Sequence, residues 1–214
     1  MTITPDEMDR IRAREAEILG QPPRIPPVDR QSVAEEVQAV TARLRGGVVG
    51  KDAAPFPLDA IPEIMFTLCR YPDVWNKIMD LSLQLQSASG RLPPRVRQLA
   101  ILRTAWLLQA PYEWGEHVRH SKRVGLTTED VEQAVIGSTS PHWSPDEAAV
   151  LRCCEELREN VMVSDATWEA LGKTLDDGQR FELLVLIGQF TNVAYFQNSL
   201  RLRLEPQNEG LAAR

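Results

Sequence analysis

Cysteine is scarce in this chain of 214 residues and poorly placed for most of its chemistry. The three present are Cys69 and the adjacent Cys153 and Cys154, with no Cys-x-x-Cys pair. A zinc ribbon or a dithiol redox centre is therefore not expected, and the thiols read as reduced ones in a cytoplasmic protein. An excess of positive charge is missing too: 24 Lys and Arg against 30 Asp and Glu leave a net charge of −6. That sign opposes nucleic acid or anionic lipid as a partner, although a small local anion site is compatible with it. Leu183 to Phe190, the most apolar run, is too short to cross a bilayer, and the opening residues do not read as a signal peptide. Segments that alternate apolar and polar residues between turns are hard to find, as are tandem repeats.

What remains is an ordinary globular composition, 43% hydrophobic and 25% charged. The length suits one domain or one domain plus an extension, large enough to bury roughly 70% of its chain surface. Helix starts are legible because Ser or Thr followed three residues later by Glu or Gln satisfies orphan N–H groups reciprocally. Thr4-Pro5-Asp6-Glu7 opens a helix to about Leu19, Ser32 with Glu35 opens another, and Ser144-Pro145-Asp146-Glu147 opens one to about Asn160. Asp176 with Gln179 is a weaker version, and Thr127 starts a further helix. Gly90, Pro93-Pro94, Pro111 and Gly125 bracket helices over 94–109 and 111–124. The class is all-α. Residues 21–30 and 46–62, rich in Pro and Gly, read as extended connectors, so the first helix is expected to be an arm, and the tail after Pro206 is expected to fray. Leu99 to Ala110 and Phe181 to Phe196 are apolar nearly all round and call for cover in a central core, an oligomer interface, or both.

Two places carry candidate chemistry. Arg103 stands in an apolar helix, where an unpaired guanidinium is costly, so it should meet a structural carboxylate, carbonyls or a ligand anion. In the helix begun by Pro111, Glu113 and His117 lie four residues apart on one face. They flank an inward stripe of Trp114, Val118 and Ser121, where a pocket wall would be. A carboxylate beside an imidazole orients the ring and suits it to acid or base work near neutral pH; the plain alternative is a weak surface charge pair. His120 adds a third candidate, but about 10 Å of axial rise separates it from Glu113, so no metal is expected. His142, just before a helix cap, reads as a loop residue. At least one of Cys153 and Cys154 should be a buried small hydrophobe.

Leu92-Pro93-Pro94-Arg95, Gln98 to Arg103, Tyr112-Glu113-Trp114 with His117, and Gly125-Leu126-Thr127 together resemble the carboxymuconolactone decarboxylase family. This group shares its all-helical fold with alkylhydroperoxidase D. Ser144 to Glu147, Thr167-Trp168, Gly188-Gln189-Phe190 and Asn198 resemble its longer members, so the likeness spans most of residues 60–205. It implies an alkylhydroperoxidase D-like helical bundle over 61–205, preceded by the arm (1–60) and followed by a tail (206–214).

The peroxidase branch carries Cys-x-x-Cys-x-x-x-His. With its histidine on His117, the cysteine positions fall on Ala110 and Glu113, neither a thiol, which leaves the dithiol mechanism without atoms to run on. The decarboxylase branch shows Glu-x-x-x-His, which Glu113 and His117 reproduce. Gln98 stands where the peroxidase branch often has a glutamate and cannot take a proton. The resemblance thus implies His117 and Glu113 as catalytic, with Arg103, Trp114, Gln98 and His120 around a small substrate. Decarboxylation of an enolisable carbonyl or lactone is the leading reaction, followed by other lyase, hydratase or isomerase steps through an enolate; peroxidase activity and a non-catalytic binding protein are the rivals. It further implies a cytoplasmic homo-oligomer, trimer or hexamer, with no metal or organic cofactor.

Overall fold

The structure, a computed structural model, describes residues 3–46, 57–58, 61–87 and 89–214. Among these residues ten α-helices follow one another without a strand. They are α1 (Pro5–Leu19), α2 (Ala34–Gly46), α3 (Glu63–Leu68), α4 (Pro72–Gln86), α5 (Pro94–Leu107), α6 (Pro111–Arg123), α7 (Thr128–Ile136), α8 (Pro145–Asn160), α9 (Asp165–Leu171) and α10 (Asp177–Leu200). A short 3-10 turn, Gly210–Ala212, ends the chain. The fold is all-α, as the missing alternation implies.

Capping chemistry sets the starts. Thr4 accepts from the Glu7 N–H, and reciprocal capping boxes form at Thr127 with Asp130, Ser144 with Glu147 and Asp176 with Gln179. Prolines occupy the first turn of α1, α4, α5, α6 and α8, where no N–H is needed. Ser32 departs from expectation, because Asp29 captures the turn: it accepts from the Gln31 and Ser32 N–H groups, and the Ser32 hydroxyl donates to the Asp29 carbonyl. Ser32 and Val33 stay in that turn, and α2 begins at Ala34.

α5 is the axis of the molecule, and every residue from Arg97 to Ala105 is buried, with α6, α8 and α10 packed around it. One apolar cluster joins α5, α8 and α10 through Ala100, Ile101, Leu151's neighbours Val150 and Cys154, Leu183 and Leu186. A second joins α5, α6 and α7 through Leu99, Leu102, Trp114, Val118 and Val131. Removing such side chains from water contributes roughly 1.5–3 kcal/mol each.

The arm and the tail both pack on this body. Ile11 and Ile18 of α1 are buried, Arg14 donates to the Gln109 carbonyl, and Glu15 accepts from the Leu211 N–H. Leu211 and Ala213, expected to fray, are buried in the second cluster. Gly115 explains the close approach of the tail: a Cβ there would meet the Asn208 side chain at 1.8 Å. Asn208 donates to the Tyr112 carbonyl at 2.9 Å and accepts from Gly210 N–H, stitching the tail to α6. Residues 21–30 do lack helix, and their backbone is tied to the body by Arg24 N–H to the Leu200 carbonyl and Val28 N–H to the Phe66 carbonyl. Most of the 46–62 connector lies outside the described residues. Among the described residues no helix is long and apolar enough to cross a membrane.

Candidate active site

Pro111 places Glu113 in the first turn of α6, where the helix dipole favours a negative charge, and one turn later His117 follows on the same face. The His117 Nε2 lies 3.0 Å from Glu113 Oε1. Gln98, on α5, sets its Oε1 2.9 Å from the other ring nitrogen, Nδ1. Gln197, near the end of α10, donates from Nε2 to Glu113 Oε2 at 2.7 Å. Four polar side chains thus form one chain across three helices: Gln98, His117, Glu113, Gln197. Exposure of each is 7%, 5%, 4% and 3%, so the chain is buried from end to end.

This is deeper than a pocket wall. The wheel of α6 puts Glu113 and His117 on the flank of the buried stripe, yet both are as buried as the stripe itself. The cause is α10, which covers that flank with Gln197 and with Phe190, whose ring meets His117 edge-on at 5.1 Å.

The hydrogen bonds constrain the protons. In this amide orientation the Gln98 oxygen accepts, so Nδ1 carries the hydrogen that faces it. Nε2 is then the nitrogen that shares a proton with the Glu113 carboxylate. Glu113 receives a second donor from Gln197, which compensates the burial of its charge. The Gln197 Oε1 is buried without a partner among the described residues, an acceptor left open beside the carboxylate.

The remaining expected site residues separate. His120 stays close, its ring 5.2 Å from that of His117 and edge-on, and burial, with His117 and two arginines nearby, pushes its pKa down to about 3. Among the described residues no three His, Cys, Asp or Glu side chains converge as metal ligands. Trp114 is not beside the pair but fully buried in the second cluster, packed on Trp106 and donating its indole N–H to the Ala213 carbonyl at 3.0 Å. Its place on the inward stripe put it in the core, and the tail completed its burial. Arg103 also leaves the set. Its Nε donates to Glu155 at 2.9 Å, its second terminal nitrogen lies 2.9 Å from the same oxygen, and Nη1 donates to the Ala134 and Val135 carbonyls. A guanidinium so engaged is tying the end of α7 to α8, and a substrate anion has no nitrogen left to meet.

His142 does sit in the loop before α8, where its Nε2 lies 2.7 Å from Asp130 Oδ1. Burial works against the Asp130 charge, but hydrogen bonds from Arg95, His142 and the Thr127 N–H outweigh it and hold this carboxyl well below the usual range. All three cysteines are buried, and desolvation first of all raises their thiol pKa values, to about 11 for Cys69 and about 12 for Cys154. Gln197 is the residue that sequence reasoning missed. It lies 84 positions from its partner, just past an apolar run that suggested core or oligomer interface rather than a site.

Comparison with known proteins follows this geometry. Residues 72–156, from α4 into α8, match the model of the Carboxymuconolactone decarboxylase family. No curated protein matches the chain. Among solved structures, the alkylhydroperoxidase AhpD core of a peroxidase-related protein from Ralstonia eutropha JMP134 aligns with a TM-score of 0.72 at 15% identity, covering 87% of this chain and 94% of that one. A peroxidase-related protein from Silicibacter sp. TM1040 gives 0.70 at 10% identity, covering 88% and 96%. A cysteine-to-alanine variant of the debrominase Bmp8, solved in complex with 2,3,4-tribromopyrrole, gives 0.69 at 13% identity, covering 86% and 92%. Likeness at these identities concerns the fold.

Proposed function

From its membership of the carboxymuconolactone decarboxylase family, carried by residues 72–156 on an AhpD-like helical fold, we propose that this chain is an enzyme that works through the Glu113 and His117 pair. Its substrate is a small enolisable carbonyl compound or lactone bearing a carboxylate, and its leading reaction is decarboxylation. The observation that supports this most is the buried chain from Gln98 through His117 and Glu113 to Gln197, at 2.9, 3.0 and 2.7 Å. A surface charge pair needs no such support from two further helices.

In the proposed step the bond to the carboxylate carbon breaks, carbon dioxide leaves, and its electron pair remains on the adjacent carbon as an enolate. The proton shared between His117 Nε2 and Glu113 Oε1 passes to that carbon, and a proton from water restores the pair. Gln98 holds the ring by Nδ1 and ends the relay there, since an amide cannot accept the proton. Gln197 fixes the second carboxylate oxygen. Phe190, against the ring, keeps water out. The chemistry asks for no metal or organic cofactor, and the acting form is read as a cytoplasmic trimer or hexamer, for which exposed apolar residues, Tyr71 just before α4 and Val74 and Leu81 on it, supply a surface.

The same proton serves other lyase, hydratase or isomerase reactions through an enolate, and fold alone does not choose among them. Thiol peroxidase activity is disfavoured, because the three thiols are buried and held protonated. The test is a panel of β-keto acids, carboxylated lactones and enolisable carbonyls without a carboxylate, run with the wild type and His117→Gln. Turnover of a carboxylated member with release of carbon dioxide, lost by about 10²–10⁴-fold in His117→Gln at unchanged helicity, is expected. Equal turnover by both proteins would remove the assignment and favour a structural role for the pair.

A further inference from the structure

Away from this pair, α5, α8 and α10 line a half-open cavity of about 390 Å³. Its size falls among ligand pockets, which run from about 300 to 1,000 Å³. It is separate from the buried pair: on α10, Phe190 and Gln197 face α6, whereas Gly188, Thr191 and Tyr195 face the cavity on the other side of the helix. Leu107, Leu157 and Ile187 make its walls apolar. Arg158 and Asn192 also line it, both exposed. Neither makes a hydrogen bond or ion pair among the described residues, so a cation and an amide stand free beside an oily hollow.

Gly188 gives an independent sign. It lies inside a 24-residue helix, with no left-handed backbone conformation to require glycine, and a Cβ there would meet nothing within 4 Å. Glycine weakens a helix interior, and packing gives no reason for it here. Gly188 is exposed and lines the cavity, so the missing side chain leaves its mouth unobstructed.

We propose that this cavity binds a small amphipathic carboxylate, its apolar body between α5, α8 and α10 and its carboxylate on the Arg158 guanidinium, with the Asn192 amide as a second donor. A charged head suits a rim cation, and an unbranched or single-ring apolar body suits walls that offer no fixed polar contact. The site does not depend on the reading of Glu113 and His117. The exposed Val161 and Met162 at the end of α8 raise one competing occupant, a second copy of the chain.

Titration calorimetry with decanoate and with decanol decides the matter, run on the wild type, Arg158→Gln and Gly188→Leu, with subunit count followed by light scattering. The wild type is expected to bind one decanoate per chain and decanol more weakly. Arg158→Gln should weaken decanoate about tenfold while leaving decanol unchanged, as expected for loss of a charge-assisted contact. Gly188→Leu, whose Cβ meets no protein atom within 4 Å and whose side chain adds bulk at the cavity, should abolish both; Thr191→Leu, one turn on, serves if that variant fails to fold. Absence of decanoate binding, binding indifferent to both cavity-filling variants, or a change in subunit count without decanoate binding would overturn the proposal, the last in favour of a second copy.

Discussion

Gln197 donates its side-chain N–H to Glu113 Oε2 at 2.7 Å, and this one bond ties the last long helix to the carboxylate that faces His117. It makes α10 part of the site. It also gives the pair a structural dependence on a residue far outside the motif.

Gln197→Leu should therefore act on both stability and chemistry. Removing the donor leaves a buried carboxylate oxygen without its partner, which costs about 1–3 kcal/mol. Urea denaturation should register that loss. With a turned-over substrate in hand, kcat should fall while KM changes little, because Gln197 positions Glu113 rather than binding substrate. Undiminished stability would mean that the bond contributes nothing.

Arg103→Met tests the opposite assignment. The guanidinium is buried and shared between Glu155 and two carbonyls, so its removal takes the counter-charge from a half-buried Glu155 carboxylate that keeps only its Ser138 donors and leaves the two carbonyls without theirs. Thermal or urea unfolding should show a loss of about 3 kcal/mol. KM should not move. A raised KM at full stability would return Arg103 to the substrate site.

His120 gives the pH dependence a definite sign. Its folded pKa of about 3 lies below the ordinary 6.5 of the unfolded chain, so between those values the unfolded state binds the extra proton. The stability tied to the neutral ring is present above pH 6.5 and is lost as pH falls toward 3, by at most about 1.4 kcal/mol per pH unit. His120→Gln should flatten this part of the profile relative to the wild type in denaturation curves from pH 7 to pH 4. Parallel profiles would contradict the burial assigned to that ring.

The thiols supply a fourth test. A protein with Cys69, Cys153 and Cys154 all replaced by alanine should keep whatever turnover the wild type shows, and neither should reduce organic hydroperoxides. In the native wild type at neutral pH the three buried thiols should resist a disulfide reagent, and all three should react after unfolding. Hydroperoxide turnover lost with the cysteines would reinstate the redox reading.

How much of this was written in the sequence depends on the range of the interaction concerned. Caps are local, so Thr4, Thr127, Ser144 and Asp176 marked helix starts well, and the i, i+4 spacing placed Glu113 beside His117. The short α3 and α9 gave no periodicity to read, and at Ser32 a competing Asp29 took the turn. Long-range packing was the larger gap. Nothing near Glu15 or Asn208 says that the two ends of the chain meet on α6, and it is that meeting which buries Trp114. Arg103 announced its need for partners, but Glu155 and the end of α7 came from folding. Gln197 lies just past the apolar run that ends at Phe196 and carries no local signal. Only tertiary contact shows which carboxylate it serves.

The central claim is that the proton between His117 and Glu113 is exchanged with substrate carbon. Its most direct measurement is NMR detection of deuterium entering the carbon next to a carbonyl when a carboxylated lactone or β-keto acid is incubated with the protein in deuterated water. The account predicts incorporation catalysed by the wild type and reduced to the uncatalysed rate in both His117→Gln and Glu113→Gln, each folded. Incorporation at the wild-type rate in either variant would contradict it.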